Sequence, residues 1–229
     1  MNMVFILVEP STPENVGAAA RAMKTMGFGE MRLVNPCDYL SEPARWLAHA
    51  SNDILEQAQV FASFESAISD LDFVIGTTAK QRLVKEDYFS TRDLPGLLLG
   101  KGQSIQKAAI VFGREDSGLR NDELKQCDLV STVPLQTSYP SLNLAQAVML
   151  YAYELSSLNA GTATETKPVN ENGFRSLKEK TAAILLDLKF REDSAIYPRI
   201  LERLNLLSEN DIHLIHSICN KYLEKNKSN

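Results

Sequence analysis

The sequence predicts an α/β fold built on a parallel sheet, followed by a small helical unit. Three observations carry this. Short, continuous apolar runs recur along the first two thirds of the chain, as strands buried on both faces require. Segments rich in helix formers separate those runs, so strands and helices alternate as in βαβ units. Beyond residue 158 the strand pattern stops, and only helical periodicity continues.

Taken in order, Val4, Phe5, Ile6, Leu7 and Val8 make the first strand. They are apolar but lack the basic flank and cleavage site of a signal peptide. Residues 9–14 hold two prolines and a Ser-Thr pair, so they form a loop, with Thr12 as N-cap and Pro13 in the first turn of a helix. That helix, residues 15–26, is rich in Ala, Met, Arg and Lys, and Gly27 supplies its left-handed end. Residues 31–34 are the next strand, stopped at Asn35-Pro36. Residues 44–50, 53–58 and 63–69 read as short helices, and 73–77 as a core strand. Residues 81–102 read as polar and irregular. Strands follow at 108–112 and 129–133, with a short helix at 121–127 between them. Residues 142–158 form a long helix with an apolar stripe of Leu144, Ala147, Val148, Tyr151 and Leu155.

The predicted organisation is thus one domain over 1–158, a Gly/Thr/Glu/Asn-rich linker over 159–173 and a helical extension over 174–229. Helices are expected at 174–190, 196–206 and 209–223, with Ser208 and Asp211 opening the last. So small a helical unit has too little core to stand alone, so it packs on the first domain, a second subunit or an RNA.

The chain has 229 residues, 44% hydrophobic and 23% charged, as in an ordinary globular protein. No apolar run reaches the ~20 residues of a membrane span. Cys37, Cys127 and Cys219 are scattered and odd in number, which suggests neither a disulfide framework nor a metal site. A reducing, cytoplasmic compartment is expected. His213 and His216 read as surface neighbours on a helix. The net charge of −5 argues against a nucleic-acid binder that works by bulk charge alone. It leaves room for a local basic face, and Arg21, Lys24, Lys80, Arg82, Lys85, Arg114 and Arg120 all fall near strand ends or loops.

Phosphate-loop, dinucleotide, nucleophile-elbow and zinc-protease signatures are absent. Three clusters remain. Asn15 to Arg21 is a run of small residues at a helix start, with Asn15 and Arg21 as its polar members. Small residues permit close approach of a backbone or ligand. In Gly113-Arg114-Glu115 a core strand runs into a turn closed by Ser117-Gly118, and Gly113 again permits a close approach. Ser141-Leu142-Asn143 opens the long helix, where free N–H groups can bind a ligand. Each alone also fits an ordinary helix start, a solvated loop or a simple N-cap by Ser141. Together they sit at strand carboxyl ends, where ligands of parallel sheets bind.

In order and spacing these clusters closely resemble the three motifs of the SpoU branch of the SPOUT RNA methyltransferases: Asn15-Val-Gly-Ala-Ala-Ala-Arg21, Phe112-Gly-Arg-Glu115-x-x-Gly118-Leu and Ser141-Leu-Asn143-Leu-Ala-x-Ala147. Ala22 to Gly27 and Gly76-Thr77-Thr78-Ala79 look most like the TrmJ tRNA ribose methyltransferases and their LasT-type relatives. The resemblance implies a SPOUT fold with a C-terminal trefoil knot, a homodimer, and S-adenosylmethionine as cofactor. It implies methylation of a ribose 2′-hydroxyl of RNA, with tRNA favoured over rRNA, and no metal. Cofactor contacts would fall at Thr77, Thr78, Ala79, Gly113, Val133, Ser141 and Leu142. Arg21 would be catalytic, in its own or the partner's site, with Asn15, Glu115 and Asn143 positioning Arg21 or the hydroxyl and Ser141 shaping the site. Because a guanidinium stays protonated, Arg21 is expected to hold the adjacent phosphate and orient the ribose rather than act as a base. Arg114, Lys80, Arg82 and Lys85 are the candidate RNA contacts, with Tyr139 as a base-stacking residue. Two other classes stay open at this point: a non-catalytic RNA-binding protein of the same fold, and an unrelated α/β nucleotide-binding enzyme.

Overall fold

A computed structural model describes residues 1–80, 84–136, 142–159 and 173–227. Seven strands form one sheet, all parallel: β1 (Asn2–Val8), β2 (Glu30–Val34), β3 (Gln59–Phe61), β4 (Phe73–Thr77), β5 (Phe89–Ser90), β6 (Lys107–Phe112) and β7 (Leu129–Thr132). Their spatial order is β3-β2-β1-β6-β4-β7-β5. The chain runs outward from β1 to β3, then crosses to the other half, and β6 returns between β1 and β4. The order therefore reverses beside β1, and a crevice opens at the carboxyl ends of β1 and β6.

Helices α1 (Pro13–Thr25), α2 (Glu42–Ala48), α3 (Asn52–Glu56), α4 (Phe64–Ile68), α5 (Leu94–Gly100), α6 (Asn121–Gln126) and α7 (Leu144–Leu155) surround the sheet. Two apolar layers result. Phe5, Leu7, Ile110 and Phe112 face α1 and α7 with Ala19, Met23, Val148 and Tyr151. Val4, Ile6, Val111 and Val130 face α4 and α6 with Phe64, Ala67 and Leu124. Alternate residues of each strand serve opposite layers, which is why the strands read as unbroken apolar runs.

The irregular reading of 81–102 is corrected at its far end, where β5 and α5 form. Pro95 and Gly96 hid α5, yet proline is tolerated in a first turn, and α5 begins there. The two-residue β5 and three-residue β3 are edge strands too short to show a period. The long helix starts later than expected, and its N-cap is Asn143, not Ser141. Residue 141 lies outside the described residues, as do Arg82 and Tyr139.

The C-terminal helices α8 (Phe174–Asp187), α9 (Ile196–Leu204) and α10 (Glu209–Lys227) pack on the first domain. Phe174 is buried edge-on against Phe73, and the buried Lys101 lies 4.5 Å over the Phe174 ring and donates to the Leu207 carbonyl at 2.8 Å. Lys178 pairs with Asp128 at 2.6 Å, and Gln103 N donates to Glu209. Ser208 and Asp211 cap α10 reciprocally, as their spacing predicted. His216 is buried, with Nε2 3.1 Å from the Gly173 carbonyl, while His213 is exposed; the surface pair expected from sequence is corrected, because α10 turns only one of the two toward α8.

Candidate active site

The crevice brings the three sequence clusters together. β1 and β6 are paired so that Leu7 lies opposite Phe112, and the loops leaving them run side by side. Glu115 therefore meets the loop before α1. Its Oε2 accepts from Ser11 N at 3.0 Å and Ser11 Oγ at 3.1 Å; its Oε1 accepts from Thr12 N and Asn15 Nδ2, both at 3.2 Å. Thr12 occupies the N-cap position, but its hydroxyl makes no capping bond. The cap is Glu115, a hundred residues away in sequence, whose negative charge also suits a helix N-terminus.

Asn143, at the start of α7, completes the constellation. Its Nδ2 donates to Asn15 Oδ1 at 2.8 Å, while its Oδ1 accepts from Ala145 N at 2.9 Å. The direction of this chain is forced. A carboxylate only accepts, so Asn15 must turn its NH2 to Glu115 and its oxygen to Asn143. Burial pushes the Glu115 carboxyl up, but the hydrogen bonds from Ser11, Asn15 and Thr12 outweigh it and hold the group below its ordinary value. Glu115 is therefore an ionised acceptor at neutral pH, suited to orienting amides rather than exchanging protons.

Arg21 is also on α1, but apart from this chain. Six residues further along a helix means a rise of about 9 Å and a rotation of about a third of a turn from Asn15. Its guanidinium is exposed and, among the described residues, makes no ion pair. Asn15, Glu115 and Asn143, expected to position either Arg21 or the hydroxyl, hold each other within one protomer.

Strands β4, β6 and β7 are neighbours in the sheet. Gly76 lies opposite Val111 and Thr77 opposite Ser131, so the chain leaves three adjacent strands at one level. Thr77, Thr78, Ala79, Gly113 and Val133 lie at that edge. Thr77, Thr78, Val133 and Leu142 are half-buried, so they offer hydroxyls and apolar surface of the kind a nucleoside needs. Gly113 is required by its own loop as well: an added Cβ would run into the backbone of Gly118 and Leu119, so only glycine allows the tight return there.

Two of the four RNA-contact candidates, Arg114 and Lys85, are engaged elsewhere. The Arg114 side chain is 11% exposed and bound to Glu9 and Glu123, so a phosphate contact by Arg114 is corrected to a structural ion pair. Lys85 is 12% exposed and faces Glu202 of α9 at 3.6 Å. Lys80 is exposed, and its backbone closes a turn with the Thr78 hydroxyl. A groove of about 1130 Å³ lies on this Lys85 side, between residues 84–89 and α9, shares no lining residue with the three motifs, and is lined by paired charges such as Arg199 with Asp87. Among the described residues, no group of three or more His, Cys, Asp or Glu is placed to hold a metal ion. Among the described residues, no helix is long and apolar enough to cross a membrane. Ser11, Glu9 and Glu123 escaped sequence reasoning. The only signal for Ser11 was the need of free N–H groups at the start of α1 for an acceptor.

Known proteins resemble this chain over nearly its whole length. The family described as the SpoU rRNA methylase family matches residues 2–153, and the C-terminal domain of the tRNA/rRNA methyltransferase LasT matches residues 171–226. An uncharacterized tRNA/rRNA methyltransferase LasT of Escherichia coli is 39% identical over 226 residues, covering 99% of each chain. TrmJ of Pseudomonas aeruginosa, a tRNA (cytidine/uridine/adenosine-2′-O-)-methyltransferase, is 34% identical over 198 residues, 86% of this chain and 75% of its own. The structure of a probable methylase family protein from Haemophilus influenzae superposes with a TM-score of 0.65 at 31% identity, covering 99% of this chain and 97% of that one. The chain belongs to the SpoU rRNA methylase family and carries behind that domain the C-terminal domain of the LasT methyltransferases.

Proposed function

We propose that this protein methylates a ribose 2′-hydroxyl of tRNA, using S-adenosylmethionine, as a cytoplasmic homodimer with a knotted C-terminal half in its first domain. Family membership supports the enzyme class, and the TrmJ relatives' tRNA 2′-O activity supports the substrate. The observation that carries the site is the hydrogen-bonded chain Glu115–Asn15–Asn143, which joins all three motifs at one crevice.

The cofactor supplies an activated methyl group. Thr77, Thr78, Ala79, Gly113, Val133 and Leu142, with Ser141, are the residues proposed to hold it. The chain's own work is alignment and removal of the hydroxyl proton. Arg21 holds the phosphate beside the target ribose by charge-assisted hydrogen bonds, and that phosphate relays the proton to solvent. Because Arg21 stands apart from Asn15 in its own protomer, it serves the partner's site. Asn15 and Asn143, fixed by Glu115, orient the ribose.

The test is transfer of labelled methyl to tRNA from cells lacking this gene, beside S-adenosylhomocysteine calorimetry. Ribose-methylated tRNA is expected, with Arg21→Ala losing at least ~100-fold in rate while keeping cofactor affinity. Absence of cofactor binding, or methyl found on a base, refutes the assignment. Mixing Arg21→Ala with Asn15→Ala protomers restores part of the activity if Arg21 acts across the dimer, and none if it acts in its own subunit.

A further inference from the structure

The loop carrying Glu115 is held from its other side by a ring of four charges. Arg114 Nε donates to Glu9 Oε2 at 2.7 Å, and its two terminal nitrogens fork onto Glu123 at 2.9 and 3.0 Å. Arg120 closes the ring. Its guanidinium donates to both Glu9 oxygens at 3.2 Å, and its backbone N–H donates to Glu123 at 2.6 Å. Glu9 follows β1, Arg114 follows β6 and Glu123 lies in the first turn of α6, so three elements meet at one guanidinium. Glu9 holds this place in the left-handed region at φ 48°, an uncommon conformation for a residue with a side chain. The Arg114 hydrogen bond, against the opposing effect of burial, keeps the Glu9 carboxyl below its ordinary value.

Arg114 and Glu115 are consecutive, and their side chains leave the loop toward different partners: one to Glu9 and Glu123, the other to α1. Fixing the first fixes the second. The backbone between them is pinned as well, by Arg114 N donating to Gly118 O and Gly118 N to Arg114 O. We propose that Glu9 and Glu123 are positioning residues for methyl transfer, acting through Arg114 to aim the Glu115 carboxylate at Asn15. The inference rests on the reading of Glu115–Asn15–Asn143 as the working site.

A double-mutant cycle on the full-length protein tests it. With tRNA from cells lacking the gene, Glu9→Gln should lower the rate at saturating cofactor and RNA about tenfold, with both KM values and S-adenosylhomocysteine affinity within about twofold. Glu115→Gln should lose at least as much. The double variant should be no slower than Glu115→Gln, because Glu9 acts only through Glu115. Asp70→Asn, at a distant ion pair, controls for lost stability and should keep the full rate. Losses that multiply in the double variant, or a Glu9→Gln enzyme with the full rate, overturn the proposal. If Glu9→Gln does not fold, Arg114→Lys enters the same cycle, since it keeps the charge and loses the fork. Full activity in Glu115→Gln and Asn15→Ala would sink the reading of the site itself, whatever Glu9 does.

Discussion

Replacing Gly17 by alanine adds one methyl where two helices touch through backbone. Gly17 lies on α1, two residues after Asn15, and faces α2. A Cβ there would stand 2.8 Å from the Ala44 carbonyl carbon and closer still to its oxygen, against 3.4 Å for ordinary contact. The neighbour is main chain inside a helix, so no side chain can swing aside. The helices must part by at least about 0.6 Å, and the layer packed on β1 opens with them. Two energies compete. Alanine is the better helix former by ~1 kcal/mol. Overpacking of a closed interface costs ~1–3 kcal/mol, and more where backbone is the obstacle. With backbone as the obstacle the cost lies at the upper end, about 2–3 kcal/mol, so the second wins, for a net loss of about 1–2 kcal/mol. At ~2–4 °C per kcal/mol for a chain of this size, Tm should fall by about 2–8 °C. Methyl transfer should fall too, since the shift moves Asn15 against Glu115. Gly29→Ala is the control: its added Cβ meets nothing within 4 Å, so Tm should hold or rise slightly. Scanning calorimetry of both variants decides it. A Gly17→Ala protein that melts with or above the parent would refute the packing argument.

Two further predictions concern ionised groups inside the fold. Hydrogen bonds from the buried Arg32, against burial and with help from Lys107, hold the Asp70 carboxyl well below the usual carboxylate range. Its contribution is therefore complete above the ordinary carboxylate pKa and fades as pH falls through the folded value. Asp70→Asn should cost about 1–2 kcal/mol at pH 7, moderated because Asp70 is half-exposed, and the gap in urea melts should narrow toward pH 2. Lys101 has the opposite sense. Burial lowers its pKa to about 8, so between that pH and its ordinary value the unfolded chain binds the extra proton and native stability rises with pH. Against Lys101→Met, which removes the charge, the parent should gain about 2–3 kcal/mol between pH 7 and 10. A pH-independent difference would show that Lys101 sits where its charge costs nothing.

Much of this protein was legible in one dimension. Val4 to Val8 and Ala108 to Phe112 are apolar throughout because parallel strands are covered on both faces, and that is a local pattern. Pro13 and Gly27 punctuate α1 by their own backbone limits, and the φ of 85° at Gly27 follows from them. The three motifs, and with them the family, stood in the residues themselves. Tertiary structure decided which groups meet. Nothing near Glu115 in sequence shows that it caps a helix a hundred residues earlier, or that Asn143 faces Asn15. Arg114 read as a free cation beside the site, and Glu9 and Glu123 claimed it. His216 read as surface, and α8 covered it. Hydrophobic period and turn chemistry act over a few residues, so a sequence displays them. Hydrogen-bond partners and burial depend on which strands become neighbours, and here β6 comes to lie beside β1 only after the chain has crossed the sheet.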